Sequence, residues 1–82
     1  MTLSAWNTII AYGNKLCNEL NDDGYNVVLK SYTMYDGRKG LKMQVLDAFG
    51  EVYKEYYSGI NSPHIMMLQM EANVQKIKQE CN

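Results

Sequence analysis

The feature that most constrains the fold is a stretch of alternating side chains, residues 25–58, which two glycine-containing turns interrupt. Alternation of apolar and polar residues has the two-residue period of a β-strand. The turns at 36–40 and 47–50 carry glycines, which supply the positive φ that tight hairpins need. The stretch therefore predicts a three-stranded antiparallel meander, with strands over about 25–35, 41–47 and 51–58.

The second strand of this meander shows its two faces most clearly. Leu41, Met43 and Val45 alternate with Lys42 and Gln44, so the first three are expected in the core and the other two on the opposite, open face. The third strand carries tyrosines on both faces, and a shift of one residue decides which face is buried. Its orientation is left open. We expect the open face to carry Lys30, Tyr32, Lys42 and Gln44, with part of the third strand.

Segments with helical periodicity precede and follow the meander in the sequence. Apolar residues at steps of three and four predict a helix over about 3–21, with Thr2 or Ser4 as its N-cap. Gly13 inside this helix indicates that the sheet or the second helix approaches it closely. A second helix is predicted over about 63–80, with Ser62 as N-cap and Pro63 in the first turn. The first apolar stripe comprises Leu3, Trp6, Ile10, Gly13, Cys17 and Leu20. The second comprises Met67, Met70, Val74, Ile77 and Cys81.

The order α-β-β-β-α predicts the α+β class, with two helices packed on one face of a three-stranded antiparallel sheet. Eighty-two residues make one domain, 1–82. The chain has no run of eighteen apolar residues and no basic start followed by an apolar stretch, so neither a membrane partner nor a secretory leader is expected. We expect a cytoplasmic protein, in the host cytoplasm if it is viral. Cys17 and Cys81 then remain thiols, with a disulfide between the helices as the alternative.

Nothing in the sequence predicts an enzyme, a cofactor or a metal site. His64 is the only histidine and stands in the first turn of the second helix, without a nucleophile beside it. Glu51 and Glu55 point to the same side of the third strand, but no further group completes an acid–base or metal site. Cys17, Cys81 and His64 lack a fourth ligand and a zinc-type spacing. We therefore expect a non-enzymatic protein.

Tyrosines and acidic residues carry the first functional hypothesis, a protein-binding module. Six of the seven tyrosines lie in the predicted strands, where they either pack the sheet or form a binding face. Acidic residues near the second hairpin and at the end of the first helix would steer the protein to a basic partner surface. The candidate partner-binding residues are Tyr32, Glu51, Tyr53, Glu55, Tyr56 and Tyr57.

The second hypothesis is an RNA-binding module. Arg38, Lys39 and Lys42 cluster around the first hairpin, although a net charge of −1 argues against a nonspecific polyanion binder. In length and in the order α-β-β-β-α the chain resembles the double-stranded-RNA-binding domain. The resemblance implies minor-groove contacts from the first helix and the first hairpin, where Arg38 and Lys39 lie. It also implies a lysine-rich start of the second helix, and residues 62–67 of this chain contain no lysine.

A second resemblance gives the protein-binding hypothesis a more specific form. In size, element order and charge the chain is similar to small phage-encoded inhibitors of bacterial defence, including some anti-CRISPR proteins. That similarity implies an inhibitor of a host nucleic-acid-handling or defence protein that acts by surface contact. A third hypothesis is a structural homodimer through helix 63–80, which has more apolar positions than one buried face needs. These positions are Ile65, Met66, Met67, Leu68 and Met70.

Overall fold

The computed structural model describes residues 1–81, and its elements follow the predicted order α-β-β-β-α. The three strands form one sheet of order β1-β2-β3, and both neighbouring pairs are antiparallel. The predicted α+β class and the meander are therefore confirmed. Of the domain predicted over 1–82, residue 82 lies outside the described residues. The elements are α1 (Leu3–Asp22), β1 (Val27–Thr33), β2 (Lys39–Leu46), β3 (Val52–Gly59) and α2 (Pro63–Glu80).

β1 is shorter than predicted, because side-chain contacts and a turn limit it at both ends. The amide of Asn21 donates to the Val27 carbonyl at 3.0 Å and accepts from the Val27 N–H at 2.7 Å. These two hydrogen bonds fix the start of the strand at Val27, two residues after Tyr25. At the other end, Gly37 donates to the Met34 carbonyl at 2.9 Å and closes the first turn. The predicted strand over 25–35 is thus trimmed to Val27–Thr33, and Tyr35 lies in the turn.

Thr2, one of the two N-cap residues that the sequence predicts, is the N-cap of α1. Thr2 accepts a hydrogen bond from the Ala5 N–H at 3.1 Å and is the N-cap, and Ser4 lies inside the helix. Leu3 belongs to the predicted apolar stripe but is 75% exposed, because the first turn of the helix borders an open groove. The buried face consists of Ile9, Gly13, Leu16, Cys17 and Leu20.

At Gly13, α1 lies in close contact with both the sheet and α2. A Cβ atom at this position would lie 2.8 Å from Leu29 Cδ2 and 2.9 Å from Met70 Sδ. Both distances are shorter than van der Waals contact, so the absence of a side chain lets α1 pack between β1 and α2. The predicted close approach at Gly13 is confirmed, and it involves both neighbours.

α2 buries a face that starts one residue earlier than predicted. Met66, which the predicted stripe omits, is fully buried, whereas Met67 is only half-buried. Both positions are apolar, so periodicity alone does not distinguish the two phases. Ile65 and Leu68 remain largely exposed on the outer side. The buried residues of α2 are Met66, Met70, Asn73, Val74 and Ile77.

The orientation of β3, which the sequence leaves open, is set by Tyr56. Tyr56 lies opposite Met43 and faces the helices, as does the buried Ser58. The pairing shifts between Leu41 and Lys42, which produces a bulge at this end of β3. The Tyr57 carbonyl at the bulge accepts a hydrogen bond from Asn73 Nδ2 at 3.1 Å. A buried polar residue of α2 therefore satisfies the backbone where the ladder is irregular.

Both cysteines are free thiols, Cys17 buried and Cys81 partly buried. Burial raises the pKa of the Cys17 thiol to about 11, so this thiol is protonated and unreactive at neutral pH. Among residues 1–81, no helix is long and apolar enough to cross a membrane.

Candidate functional site

The helices cover one face of the sheet, and the other face carries the candidate site. Leu41, Met43 and Val45 of β2 point to the helices and are buried, so the alternate residues of each strand point away from them. The strand register places these alternate residues side by side across all three strands. We call this surface the open face, and it comprises Val28, Lys30, Tyr32, Lys42, Gln44, Glu55 and Tyr57.

A pair of tyrosines on a glycine occupies one half of the open face. Tyr32 lies opposite Gly40 in the register, and a Cβ atom at Gly40 would lie 2.5 Å from Cζ and Oη of Tyr32. The Tyr32 ring therefore lies directly on the backbone of β2. Tyr57 meets it in a T-shaped arrangement, with the ring centroids 5.4 Å apart and the planes at 76°. This edge-to-face geometry is a favourable one for aromatic pairs.

A charged network adjoins the tyrosine pair. Lys42 Nζ lies 2.8 Å from Glu55 Oε2 and 5.5 Å from the centroid of the Tyr57 ring. Gln44 Nε2 donates to the same Glu55 oxygen at 2.9 Å. These hydrogen bonds from Gln44 and Lys42 lower the pKa of the Glu55 carboxyl, and the bond to Glu55 raises the pKa of Lys42. Both side chains are therefore ionised at neutral pH and held in one arrangement.

Removal of Lys42 is expected to raise the pKa of Glu55. In the wild type, the folded carboxyl has a pKa below its ordinary value of 4.5. The network therefore contributes stability above about pH 4.5 and loses it as the pH falls through the folded pKa. In Lys42→Met the pKa should move up toward 4.5 but not reach it, because the Gln44 hydrogen bond remains. A carboxyl-detected NMR titration measures the shift.

Lys30→Met is the matched control for that titration. Lys30 lies opposite Lys42 in the register but belongs to β1, with β2 between it and Glu55. Its removal is expected to leave the Glu55 pKa nearly unchanged, because charge interactions between exposed groups on separate strands are screened. Equal shifts in the two variants would show that general surface charge, and not the ion pair, sets the Glu55 pKa.

The structure brings together three of the six predicted partner-binding residues, namely Tyr32, Glu55 and Tyr57. Tyr56 lies on the helix side, where it is 7% exposed and its hydroxyl donates to Glu80 at 2.9 Å. Burial is the largest cause that raises the pKa of Tyr56. Tyr53 is the extra residue of a second bulge, and Glu51 lies just before β3. Those three are therefore not part of the open face.

The three residues of the predicted nucleic-acid site do not form one cationic patch. Arg38 Nε donates to Asp36 Oδ2 at 2.7 Å within the first turn. Lys42 lies on the open face, paired with Glu55. Lys39 begins β2, and among residues 1–81 no ion pair includes it. Lys39 and Lys30 are thus exposed cations of β2 and β1 that have no acidic partner in this part of the chain.

Two features of the surface differ from what the sequence predicts. Gly40 is interpreted there as a turn residue, whereas it lies in β2 and makes room for Tyr32. Phe49 is interpreted only as part of a turn, yet it is 90% exposed. A bulky aromatic residue among turn formers is a signal that could have been noticed, because turns do not require one. The pairing of Gly40 with Tyr32 depends on register and has no such local signal.

The described residues, 1–81, contain no group of three or more histidine, cysteine or acidic side chains arranged to hold a metal ion. Comparisons with protein-family models, curated protein sequences and solved structures found no match to this chain.

Proposed function

We propose that this chain is a small, non-enzymatic protein-binding module that acts through its open face. The observation that carries the proposal is the Tyr32–Tyr57 pair, fixed on Gly40 beside the Lys42–Glu55 ion pair. Tyrosine provides a large, amphipathic contact area, and aromatic residues are enriched in interface cores. Tyr57 is 54% exposed even within this pair, so a partner has an aromatic surface to cover.

Order in the unbound state favours binding at this face. Gly40 and Tyr57 restrain Tyr32, and Lys42 and Gln44 hold Glu55. Side chains that already occupy one conformation lose less entropy when a partner covers them. The ion pair also presents both signs of charge at defined positions, which favours a partner with complementary charges.

The specific form of the proposal is an inhibitor of a host nucleic-acid-handling or defence protein, encoded by a phage or another mobile element. Its support is the arrangement of acidic residues. The Leu46 N–H donates to the Asn26 carbonyl at 2.8 Å and joins the end of β2 to the segment after α1. Asp22 and Asp23 therefore lie at the same end of the molecule as Asp47 and Glu51. An acidic end favours a basic partner surface, such as one that binds nucleic acid.

Two measurements together test the proposal against the RNA hypothesis. The first is binding of the purified chain to a short RNA duplex and to single-stranded RNA at two salt concentrations. We expect no tight binding, since the chain is slightly acidic and Glu55 neutralises Lys42. Tight binding that falls steeply with salt would instead support an RNA-binding module of double-stranded-RNA-binding-domain topology.

The second measurement is capture of host proteins from a nuclease-treated bacterial lysate by immobilised variants. Wild type and Tyr35→Ala are expected to retain the same protein, whereas Tyr57→Ala is expected to lose at least about tenfold in affinity, as at an aromatic hot spot. Tyr35 is the matched control because it is fully exposed but lies in the first turn, outside the open face. Equal capture by all three would reject the open face as the binding surface.

A further inference from the structure

An open groove lies at the end of the molecule where both helices begin. The groove has a volume of about 570 Å³. It is lined by the first turn of α1, the first hairpin turn and the segment between β3 and α2. Its apolar lining consists of Leu3, Trp6 and Ile60. Its positively charged lining residues are Arg38 and Lys39. Arg38 is paired with Asp36, so Lys39 provides the unneutralised positive charge.

The opposite end of the molecule presents a fixed aromatic side chain. Phe49 lies at the tip of the second turn and is 90% exposed. The Asp47 carboxylate accepts hydrogen bonds from the N–H groups of Phe49, at 2.8 Å, and Glu51, at 3.0 Å. Gly50 completes the turn with a φ of 80°. The turn is therefore ordered without any contribution from the Phe49 ring, and binding would cost little backbone entropy.

The two ends carry opposite electrostatic character because the helices run parallel. Residues next to both helix starts line the groove. At the other end, Asp23 and Tyr25 after α1 and Cys81 after α2 line a shared depression. The two helix dipoles consequently add, with their positive ends at the groove and their negative ends near Phe49. The acidic residues at the Phe49 end increase the difference. These residues are Asp22, Asp23, Asp47 and Glu51.

We propose that the groove binds the second turn of another copy of this chain, with Phe49 on the apolar lining and the acidic end facing Lys39. The groove is larger than a phenyl ring, and the charges of the two ends are complementary. The groove and the tip lie at opposite ends of a molecule 35 Å long. The contact is therefore heterologous and produces open chains rather than a closed dimer. It uses neither the open face nor the outer side of α2.

Sedimentation of the wild-type protein over a concentration series provides the first test. We expect the weight-average mass to rise above 9.4 kDa and to pass the dimer value without a plateau. The series should extend to about 1 mM, because a contact this small is weak. The rise should decrease at high salt, since it depends on opposite charges. A mass that stays at the monomer, or that stops at the dimer, would overturn the proposal.

Two complementary variants provide the decisive test. Phe49→Ala keeps the groove and lacks the tip, whereas Leu3→Glu keeps the tip and lacks an apolar groove. Leu3 is exposed in the first turn of α1, where an acidic residue favours the helix, so both variants are expected to fold. Each alone should remain monomeric, and an equimolar mixture should form a dimer and grow no further. A mixture that remains monomeric would contradict the proposed contact.

Tyr57→Ala separates this inference from the proposed function. Tyr57 belongs to the open face, so its loss is expected to leave chain growth unchanged while it weakens partner capture. If Tyr57→Ala abolished self-association, the open face would be the contact between copies and the groove proposal would fail. If it left self-association intact, capture experiments would still test the open face independently.

Discussion

Met70→Asp is expected to abolish folding, whereas Leu68→Asp, two positions away on the same helix, should leave stability nearly unchanged. Met70 is fully buried, and its sulfur lies against Gly13 of α1. A carboxylate there would lose its hydration without gaining a partner, a cost of several kcal/mol. Removal of the buried methionine adds about 2–5 kcal/mol. Together these costs are comparable to the whole stability of a domain of this length, ~4–12 kcal/mol at roughly 0.05–0.15 kcal/mol per residue.

The two variants place the same charged residue on the same helix, and the main difference between them is the burial of the position. Leu68 is 48% exposed, and substitutions at such positions usually change stability by no more than about 0.5 kcal/mol. Circular dichroism during urea or thermal unfolding measures both variants. A cooperative unfolding transition in Met70→Asp close to that of the wild type would contradict the packing of α2 described above.

Leu68→Asp also tests the homodimer hypothesis for helix 63–80. Among the surplus apolar residues of α2, Met66 and Met70 are used by the chain's own core, so they are not available to a second copy. Ile65 and Leu68 remain on the outer side. If two copies met through α2, Leu68→Asp would convert a dimer into a monomer. No change in mass would leave that surface without a role in self-association.

Local signals were sufficient to predict most of the fold. Residues 41–45 of β2 alternate strictly between apolar and polar, and Gly37 and Gly50 adopt the positive φ expected of the two turns. Thr2 and Ser62 occupy the N-caps of the two helices. Each of these features depends on residues within a few positions of one another. For that reason the element order and the meander follow from the sequence alone.

Features that depend on distant contacts could not be predicted in the same way. Asn21 limits β1 by bonding to Val27, which no periodicity indicates. The stripe predicted for α2 omits Met66, which is buried, because Met66 and Met67 are both apolar and either one fits the helical spacing. Tyrosines lie on both faces of β3, so alternation does not show which face is buried. The pairing of Tyr56 with Met43 decides it. Tertiary packing, and not residue preference, decides each of these cases.

The candidate site likewise combines features that local signals predict with features that depend on distant contacts. Alternation in β2 was enough to place Lys42 and Gln44 on the open face. The partners across the strands were not predictable, because the hydrogen bonds to Glu55 require the register of β2 with β3. The same applies to the Tyr32 ring, which needs the register of β1 with β2 to meet Gly40. Candidate residues could be named from the sequence, but their arrangement required the sheet.

Gly40→Val is expected to destabilise the wild type by about 1–3 kcal/mol, as overpacking does. The new Cβ would lie 2.5 Å from the Tyr32 ring, so the ring must leave the sheet. Its T-shaped contact with Tyr57 would then be lost, which removes roughly another 0.5–1.5 kcal/mol. Urea unfolding measures the change in the free energy of unfolding, and contacts between the two rings in NMR spectra report whether the pair survives.

The same substitution should have the opposite sign in a Tyr32→Ala background. Gly40 lies within β2 and has no positive φ, so the backbone accepts valine, a strong strand former. The three atoms nearest to the new Cβ all belong to the Tyr32 ring, so without that ring Gly40→Val should stabilise by up to about 1 kcal/mol. A double-mutant cycle would thus give a coupling of roughly 2–5 kcal/mol between positions 32 and 40, at or above the upper part of the range for residues in contact. If Gly40→Val destabilised both backgrounds equally, the cause would lie in the backbone, and Tyr32 would not be held by Gly40. The pre-ordered tyrosine pair, and with it the main support for binding at the open face, would then be lost.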